Sequence, residues 1–342
     1  MAGPICCFIH WNKSMRQILL TMPGEFIEKQ APRPTPALGE ALVCIRKVGI
    51  CGSDLHAFAG RHPAYTYPRI LGHELAGEVV EVRPNNSGIE VGDQCAIEPY
   101  LSCGTCRACQ KGRTNCCEHL RLFGVHIDGG MQGFLSVPVS LLHKSKTLSL
   151  DELALIETLG IGAHAVERGG VVVGEEVLVI GAGPIGLAVI QFAQNAGARV
   201  RVLEMKKWRR NFADQHLGIK TLAEPDKCLA DVVFDATGSA RSMSGSFEYV
   251  APGGRVVFVG LTKEPIHIDD TLLHKREMTL FASRNSCGQF PRIIRMIAER
   301  KIDTSLWITD RLRLADVPAH FKDLSEKAEF VKAIVDVNDS DS

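Results

Sequence analysis

Short apolar runs, interrupted by glycine and proline, dominate the chain from residue 15 to about residue 147. The clearest runs cover residues 41–48 and 77–82, and a third, shorter run covers residues 95–98. Runs of this length, bounded by turn residues, are typical of β-strands. Since no long stretch here repeats its apolar positions at helical spacing, the pattern predicts a compact β-rich domain.

The pattern changes at Leu150. Apolar residues recur at helical spacing over 153–166, which predicts a helix. Residues 176–180 then form a short buried strand, a glycine turn follows, and residues 187–196 and 199–203 read as a helix and a second strand. A strand, a helix and a further strand in this order make a βαβ unit, which implies a parallel sheet.

Strands predicted at 231–235 and 254–260 continue this alternation. Only about 27 residues separate the strand at 199–203 from the one at 231–235, so we expect one shortened connection. Beyond Phe290 the pattern predicts a helix over 291–301, then a short helix and a strand. The chain is therefore an α/β protein with a β-rich domain and a doubly wound parallel sheet.

Composition fits two globular domains. The chain has 342 residues, of which 45% are hydrophobic and 23% charged, and it is too long for one hydrophobic core. Lysine plus arginine, at 39, equals aspartate plus glutamate, also at 39, which argues against a nucleic-acid surface. No apolar run approaches the roughly 18 residues of a membrane span. We therefore expect neither a nucleic acid nor a membrane as partner.

Both ends of the chain are expected to be poorly ordered. Residues 1–14 contain an apolar run that is too short for a signal peptide and lacks a basic start, so Met15 is the more natural beginning. Residues 336–342 form an acidic, serine-bearing tail that should fray.

A cysteine-rich loop lies between residues 103 and 117. Cys103, Cys106 and Cys109 are spaced by three, Cys117 follows eight residues later, and Cys116 is a spare. Four thiolates in one loop can fill all positions of a tetrahedral zinc, which is how structural zinc is held. Disulfides are the alternative. The other cysteines lie among apolar or mixed neighbours, and this pattern fits a reducing cytoplasm.

A glycine turn follows the strand at 176–180 and reads Gly181-Ala-Gly-Pro-Ile-Gly186. In a dinucleotide-binding turn, Gly181 would permit the tight turn, Gly183 would let the backbone approach a pyrophosphate, and Gly186 would allow close packing of helix and strand. The N–H groups of the new helix would face the phosphates. The alternative is an ordinary glycine turn of an α/β sheet.

Glu204 ends the second strand, 21 residues after Gly183. An acid at this place accepts hydrogen bonds from the ribose hydroxyls and repels a 2′-phosphate, so NAD is favoured over NADP. Lys206, Lys207 and Arg209 follow immediately and weaken that preference.

A second candidate metal site combines residues 49–56 with residues 71–74. Cys51, His73 and Glu74 supply a thiolate, an imidazole and a carboxylate. Three protein ligands with an open fourth position are typical of catalytic zinc. Taken singly, His73 could be a satisfied loop histidine and Cys51 a buried thiol.

These motifs together resemble the zinc-dependent medium-chain alcohol dehydrogenase family, from Met15 to near Val337. The resemblance implies Cys51, His73 and Glu74 around a catalytic zinc, with Glu157 as a direct or water-linked ligand. Alcohol dehydrogenases proper have cysteine where Glu157 stands, and glutamate resembles the polyol, sugar-acid and threonine dehydrogenase branch. Thr158 replaces the proline that usually follows.

The resemblance also implies roles for neighbouring residues. Ser53 and His56 would pass the hydroxyl proton to solvent, and Asp54 would orient His73. The alternatives are a turn residue for Ser53 and a solvated helix histidine for His56. The cofactor would be bound by Gly181, Gly183, Pro184, Ile185, Gly186, Glu204, Arg209, Thr237, Gly238, Val259, Gly260 and Leu261.

The substrate class follows from the branch. Residues 123–130 and 281–285 resemble bacterial sugar-acid dehydrogenases, and Arg284 either faces a substrate carboxylate, as His126 or Arg121 could, or is a surface arginine. The expected reaction is oxidation of a secondary alcohol of a polyol or sugar acid (L-galactonate-, L-gulonate- or sorbitol-like) by NAD. A threonine 3-dehydrogenase-like enzyme and a non-catalytic zinc- and nucleotide-binding relative remain alternatives.

The resemblance also divides the chain. Residues 15–157 and 290–342 are expected to form a GroES-like catalytic domain, and residues 158–289 a Rossmann NAD-binding domain, with the active site in the cleft between them. Relatives are dimers or tetramers, so a homodimer or homotetramer is expected.

Overall fold

The structure, a computed structural model, describes residues 14–226 and 228–338. Residues 1–13 of the expected leader lie outside this part, whereas Ser14, counted in that leader, is the first residue of a strand. Among the described residues, every helix is too short or too polar to cross a membrane.

The N-terminal lobe is rich in strands, as the pattern of short apolar runs predicts. Its strands are β1 (Ser14–Met22), β2 (Glu25–Pro32), β3 (Glu40–Ile50), β4 (Glu74–Val82), β5 (Gln94–Ile97), β6 (Tyr100–Leu101), β7 (Arg121–Leu122), β8 (Phe134–Pro138) and β9 (Leu142–Lys144). Its helices are α1 (Gly52–Phe58), α2 (Arg107–Gln110) and α3 (Leu150–Ala154), with single 3-10 turns at Thr114–Cys116 and Val139–Leu141.

The central lobe alternates strands and helices. It contains α4 (Ile156–Gly169), β10 (Glu176–Ile180), α5 (Pro184–Asn195), β11 (Arg199–Leu203), α6 (Lys207–Leu217), β12 (Lys220–Leu222), β13 (Ala230–Asp235), α7 (Ala240–Gly245), a 3-10 turn (Ser246–Tyr249), β14 (Val250–Phe258), α8 (Asp270–Lys275) and β15 (Thr279–Ala282). The last elements are α9 (Phe290–Ala298), β16 (Ile308–Arg313), a 3-10 turn (Leu314–Asp316), α10 (Val317–Glu326) and β17 (Lys332–Asp336).

The six strands of the central lobe form one parallel sheet in the order β12-β11-β10-β13-β14-β15. Strands β11 and β12 lie on one side of β10, and β13, β14 and β15 lie on the other, so the direction in which the chain adds strands reverses at β10. Ligands bind at such a switch point, beyond the carboxyl ends of the strands. The expected doubly wound sheet is therefore confirmed, and its switch point lies at the predicted glycine turn.

The chain returns to the first lobe at its C-terminal end. A seven-stranded sheet runs β16-β17-β3-β4-β5-β9, with β8 also paired to β3. β17 lies antiparallel to β3, where Ala333 faces Ile50. The expectation that the chain frays from Asp336 is wrong for residues 336–338, because Asp336 ends β17 and pairs with Lys47, while Asn338 donates to Ile45 O at 3.0 Å. Residues 339–342 lie outside the described part.

Two details of the helices differ from expectation. The single helix predicted over 153–166 is two, α3 and α4, since Ser149 caps α3 and the helical path breaks at Leu155. The connection between β11 and β13 is short but holds both α6 and β12. The helix predicted over 291–301 is α9, and its Phe290 and Ile293 pack into the same core as Phe192 of α5.

Candidate active site

The cysteine-rich loop brings its four predicted ligands together. The ligand atoms of Cys103, Cys106, Cys109 and Cys117 all lie within 4.8 Å of one another. The Cys103 and Cys109 sulfurs are 4.0 Å apart, close to the roughly 3.8 Å that tetrahedral geometry gives for Zn–S bonds of about 2.3 Å. All described cysteines are free, so the disulfide alternative has no support.

Backbone N–H groups prepare this loop for thiolates. Those of Thr105 and Cys106 lower the pKa of the Cys103 thiol to about 5, whereas desolvation raises the pKa of Cys109 to about 12. The amides of Cys103 and His119 each donate to the Cys117 sulfur at 3.3 Å. The loop therefore favours the thiolate form of Cys103 and disfavours that of Cys109. A bound cation would stabilise the thiolates together, and this donor set fits a structural zinc.

The second predicted site also assembles. Cys51 precedes α1, His73 precedes β4, and Glu74 begins β4; their ligand atoms lie within 4.8 Å of one another. The thiolate, imidazole and carboxylate fit a catalytic zinc with an open position. A local hydrogen bond fixes one ligand, because the Cys51 amide donates to Asp54 Oδ2 at 2.9 Å.

Asp54 also faces the histidine, as the resemblance implies. Its Oδ1 lies 3.5 Å from His73 Nδ1, an ion-pair distance, and both side chains are buried. Burial alone would lower the pKa of His73, but the Asp54 carboxylate outweighs it and holds that pKa well above its ordinary value. A carboxylate on one ring nitrogen leaves the other nitrogen to a metal.

The two predicted relay residues lie on α1. Ser53 Oγ is 3.4 Å from His73 Nε2, so it borders the metal ligands. His56 is exposed one turn further along. Partial desolvation, with the charge of Arg61, lowers the pKa of His56, which leaves a neutral imidazole able to accept a proton near neutrality.

Glu157 lies close to the metal ligands but not among the three whose donor atoms meet. Burial raises the pKa of Glu157. The charge of His73 opposes this rise, and the charge of Glu74 adds to it. Its Oε1 accepts a hydrogen bond from the hydroxyl of Tyr100. Sequence reasoning missed Tyr100, because nothing near residue 100 marks a partner 57 positions away. Direct ligation by Glu157 stays a prediction.

Lys332 is a second residue that sequence reasoning missed. Its ammonium, 2% exposed, lies 2.6 and 2.8 Å from the two carboxylate oxygens of Glu74 and 3.1 Å from Thr158 Oγ1. The available signal was a single lysine in the otherwise apolar segment 331–335. Charged residues are rarely this buried unless paired.

The glycine turn borders a cleft of about 770 Å³ at the switch point. Gly181 has φ +94°, and a Cβ on Gly186 would lie 1.9 Å from Gly181 O, so neither position tolerates a side chain. Gly183 caps α5, and Pro184 and Ile185 form its first turn, which leaves helix N–H groups facing the cleft. The turn therefore fits a pyrophosphate.

The remaining predicted cofactor residues surround this cleft. Gly181, Gly183, Glu204, Arg209 and Thr237 line it. Gly238 and Gly260 are in close contact, since a Cβ on Gly260 would lie 2.3 Å from Gly238 N. Val259 and Gly260 donate to Asp235 O, and Leu261 is 80% exposed. These last three follow β14 and lie beside the cleft rather than in its lining.

Glu204 is held by backbone amides. Its Oε2 accepts from Ala182 N at 2.8 Å and its Oε1 from Lys206 N at 2.7 Å. Each oxygen keeps a further lone pair. Arg209 Nη1 lies 4.0 Å from Glu204 Oε2, so an acid and a cation sit together where the adenosine ribose would bind.

Arg284 bridges toward the cysteine-rich loop. Its Nε donates to Asn115 O at 3.1 Å, and Asn115 Nδ2 donates back to Arg284 O at 2.8 Å. Burial and then the charges of Arg284 and Arg69 lower the pKa of His126, so two guanidinium groups lie near this imidazole. Arg121, the third predicted candidate, is exposed on β7.

Two family models match the chain. The alcohol dehydrogenase GroES-like domain matches residues 37–147, and the zinc-binding dehydrogenase domain matches residues 184–299. The L-galactonate-5-dehydrogenase of Escherichia coli (strain K12) is 38% identical over 336 residues, which covers 94% of this chain and 99% of that protein. The chain belongs to the zinc-type medium-chain dehydrogenase family. This dehydrogenase is therefore an oxidoreductase.

Solved structures of other dehydrogenases have the same fold. A zinc-binding dehydrogenase from Sinorhizobium meliloti 1021, bound to NADP, is 29% identical with a TM-score of 0.87 and covers 95% of this chain and 100% of that one. A protein described as a short chain alcohol dehydrogenase (rspB) from Escherichia coli CFT073, complexed with NADH, is 28% identical with a TM-score of 0.89 and has the same coverage. Both the nicotinamide cofactor and the zinc-type family predicted from the motifs agree with these matches.

Proposed function

We propose that this dehydrogenase oxidises a secondary alcohol of a sugar acid to a ketone, with NAD as hydride acceptor. The observation that carries the proposal is the meeting of Cys51, His73 and Glu74 at one point of the N-terminal lobe. The 38% identity to an L-galactonate-5-dehydrogenase over nearly the whole chain supports the substrate class.

Helix α4 links the two halves of this site. Its first turn carries Glu157, which interacts electrostatically with His73 and Glu74, and Thr158, which accepts a hydrogen bond from Lys332 beside Glu74. Further along, Gly162 packs so closely on α5 that a Cβ there would lie 2.4 Å from Ala188 Cβ. One rigid helix therefore connects the metal ligands to the helix that follows the dinucleotide turn.

When bound, zinc would polarise the substrate hydroxyl as a Lewis acid, and NAD would accept the hydride from the carbon that becomes the carbonyl. Ser53 and His56 supply the route for the hydroxyl proton, from beside His73 to the exposed face of α1. Asp54 holds His73 in the orientation that binding requires.

The cofactor preference is proposed from Glu204. Two backbone amides hold its carboxylate at the end of β11, where it can accept from ribose hydroxyls and repel a 2′-phosphate. Arg209 lies beside it and partly neutralises that repulsion. We therefore propose a preference for NAD with measurable use of NADP.

Recognition of a substrate carboxylate is assigned to Arg284. Its guanidinium Nε is fixed on Asn115 O, and His126 and Arg69 are near. An arginine held in this way recognises carboxylates well. The carboxylates of Glu74 and Glu157 at the metal site favour a substrate with hydroxyl groups on neighbouring carbons, and a polyhydroxy acid has such groups.

Two measurements test this function. NADH formation is followed with hexonates, hexitols, sugar phosphates and L-threonine, and turnover of hexonates is expected. Turnover of threonine alone would instead support the threonine 3-dehydrogenase-like alternative. Metal analysis should find about two zincs per chain, since a closed and an open site are both present; one zinc and no turnover would support a non-catalytic binder.

A homodimer or homotetramer is proposed for the assembled enzyme. β15 is the edge of the parallel sheet, and Leu280 on it is 40% exposed. An open edge strand can pair with a second copy of itself. Light scattering on the purified protein tests this, and a monomer at micromolar concentration would contradict it.

A further inference from the structure

A second cavity lies outside the cofactor cleft. Its volume of about 450 Å³ is within the range of roughly 300–1,000 Å³ that small-molecule sites have. Three segments form its wall: the cysteine-rich loop with Arg113, helix α4 with His164, Glu167 and Arg168, and the loop before α9 with Cys287. None of the residues that line it also lines the cofactor cleft. The cavity is therefore a separate place where a small molecule could bind.

Two arginines bring positive charge to this cavity. The guanidinium of Arg168 is held in place, because its Nε donates to Ala282 O at 3.4 Å and its central carbon lies 4.6 Å from the centroid of the Phe281 ring. Arg113 is exposed at the wall. Within residues 14–226 and 228–338, neither guanidinium has a carboxylate at ion-pair distance. Their charge is thus not balanced by a direct partner in the described chain.

One carboxylate lines the cavity, and it offsets only part of this charge. Glu167 Oε2 accepts a hydrogen bond from the side-chain amide of Gln289. Burial lowers the pKa of His164, and the charges of Arg113 and Arg168 lower it further against the charge of Glu167. With a neutral imidazole, two guanidiniums face a single carboxylate, and the wall keeps an excess of positive charge. Guanidinium groups match the paired oxygens of phosphate and carboxylate.

Buried polar atoms beside the cavity also have no protein partner. Among the described residues there are six such side-chain atoms, and three of them, Asn115 Oδ1, His164 Nδ1 and Ser286 Oγ, lie within two positions of a lining residue. His164 is 8% exposed, and its Nε2 lies 3.2 Å from Asn115 Nδ2, an amide donor, so the proton of the neutral ring is on Nδ1. A residue of the wall therefore has a buried donor that no acceptor of the chain satisfies.

We propose that this cavity binds a small anion through a phosphate or carboxylate group, which lies between Arg113 of the cysteine-rich loop and Arg168 of α4. The site is distinct from the one that oxidises the sugar acid, since neither the metal ligands nor the cofactor residues line it. A bound anion would connect the loop to α4 and restrict the motion of both. A small metabolite could thereby stabilise this junction.

The experiment measures anion binding by the full-length, zinc-containing protein. Inorganic phosphate and acetate are the two probes, titrated by calorimetry at constant ionic strength in saturating NAD, so that the glycine turn is already occupied. The variants are R113Q and R168Q. K111Q is the matched control, because Lys111 is an exposed cation of the same loop that does not line the cavity.

The parent protein is expected to bind one anion per chain with a Kd of about 1 mM or tighter. R113Q and R168Q should each weaken this binding by about 10- to 100-fold, since each removes a charge-assisted hydrogen bond. K111Q should stay within about 2-fold of the parent, because solvent screens a charge outside the cavity. Tighter binding of phosphate would indicate a phosphorylated ligand, and tighter binding of acetate a carboxylic acid.

Amide hydrogen exchange then locates the bound anion. In the parent, the probe should slow exchange in residues 111–116 and 164–168, and this protection should be absent in R113Q. R113Q alone suffices if R168Q does not fold, since Arg113 is exposed.

Absence of saturable binding of either probe, or equal affinities in the parent, R113Q and K111Q, would overturn the proposal. A protein that binds phosphate here but does not oxidise hexonates would refute only the proposed function.

Discussion

The hydroxyl of Tyr100 donates a hydrogen bond to Glu157 Oε1, and both residues are buried. Tyr100 begins β6, immediately before the cysteine-rich loop, whereas Glu157 lies on α4 beside the metal ligands. The segment that leads into the cysteine-rich loop is thereby tied to the catalytic centre through this hydrogen bond.

Removal of this hydroxyl is expected to impair catalysis. Tyr100→Phe leaves the buried Glu157 carboxylate without its donor, so kcat/KM should fall by about 10-fold while both zincs remain bound. Steady-state kinetics and metal analysis measure the effect. Tyr67→Phe is the matched control, because that hydroxyl donates to the backbone Ala57 O and not to Glu157. Equal losses in the two variants would contradict a specific role for Tyr100.

The cysteine-rich loop contains four predicted zinc ligands and a fifth cysteine, Cys116, that is not among them. Cys109→Ser should lose one zinc per chain, because a closed tetrahedral site needs all four thiolates. Cys116→Ser should keep both, since Cys116 is exposed and outside the group of sulfurs. Metal analysis by mass spectrometry on the purified variants is the measurement. Zinc loss from Cys116→Ser would show that the ligand assignment is wrong.

Arg209 is expected to control the use of NADP. Arg209→Gln removes the cation beside Glu204, so kcat/KM with NADP should fall by about 10-fold, the value of about 1.4 kcal/mol of lost phosphate contact. The value with NAD should change little. Arg199→Gln, at the opposite end of β11, is the control and should affect neither cofactor. A larger loss with NAD than with NADP would refute this role.

An ion pair in the central lobe should make stability depend on pH. Arg255 holds both oxygens of Glu175 at 2.8 Å, and this contact lowers the pKa of Glu175 below its ordinary value of 4.5. A depressed folded-state pKa stabilises the fold above the unfolded-state value, and that contribution disappears as pH falls through the folded-state pKa.

Glu175→Gln should therefore lower the free energy of unfolding by about 1–3 kcal/mol near pH 7. The difference from the parent should shrink as the pH falls below 4.5. Urea unfolding at several pH values measures it. Glu299→Gln, which breaks an exposed pair with Lys301, is the control and should leave the stability nearly unchanged, because solvent screens that pair. A difference that grows in acid would contradict the assignment.

The sequence was sufficient for those features that depend on local spacing. The four-cysteine loop and the glycine turn each lie within one segment, so residue types and intervals nearly determine their geometry. Cys51 and His73 are 22 positions apart; their residue types suggested a shared metal site, and the family resemblance supported it. The alternation of apolar strands with helices predicted the parallel sheet, whose central strands β10 and β13 are buried almost throughout.

The contacts that the sequence could not predict are distant ones. Lys332 lies 258 positions from Glu74, and Tyr100 lies 57 positions from Glu157. No periodicity or motif links such pairs, since they meet only when the whole chain has folded. The expected fraying from Asp336 was wrong for the same reason, because its partner Lys47 is 289 positions away.

The pairing of β17 with β3 has a consequence for biosynthesis. Strand β3 leaves the ribosome early, yet the partner that covers its edge and delivers Lys332 is made some 280 residues later. Glu74 and Cys51 therefore wait through most of translation without the cation that neutralises them. A nascent chain stalled before β17 would expose an unpaired strand edge, and it is this intermediate that chaperones have most reason to protect.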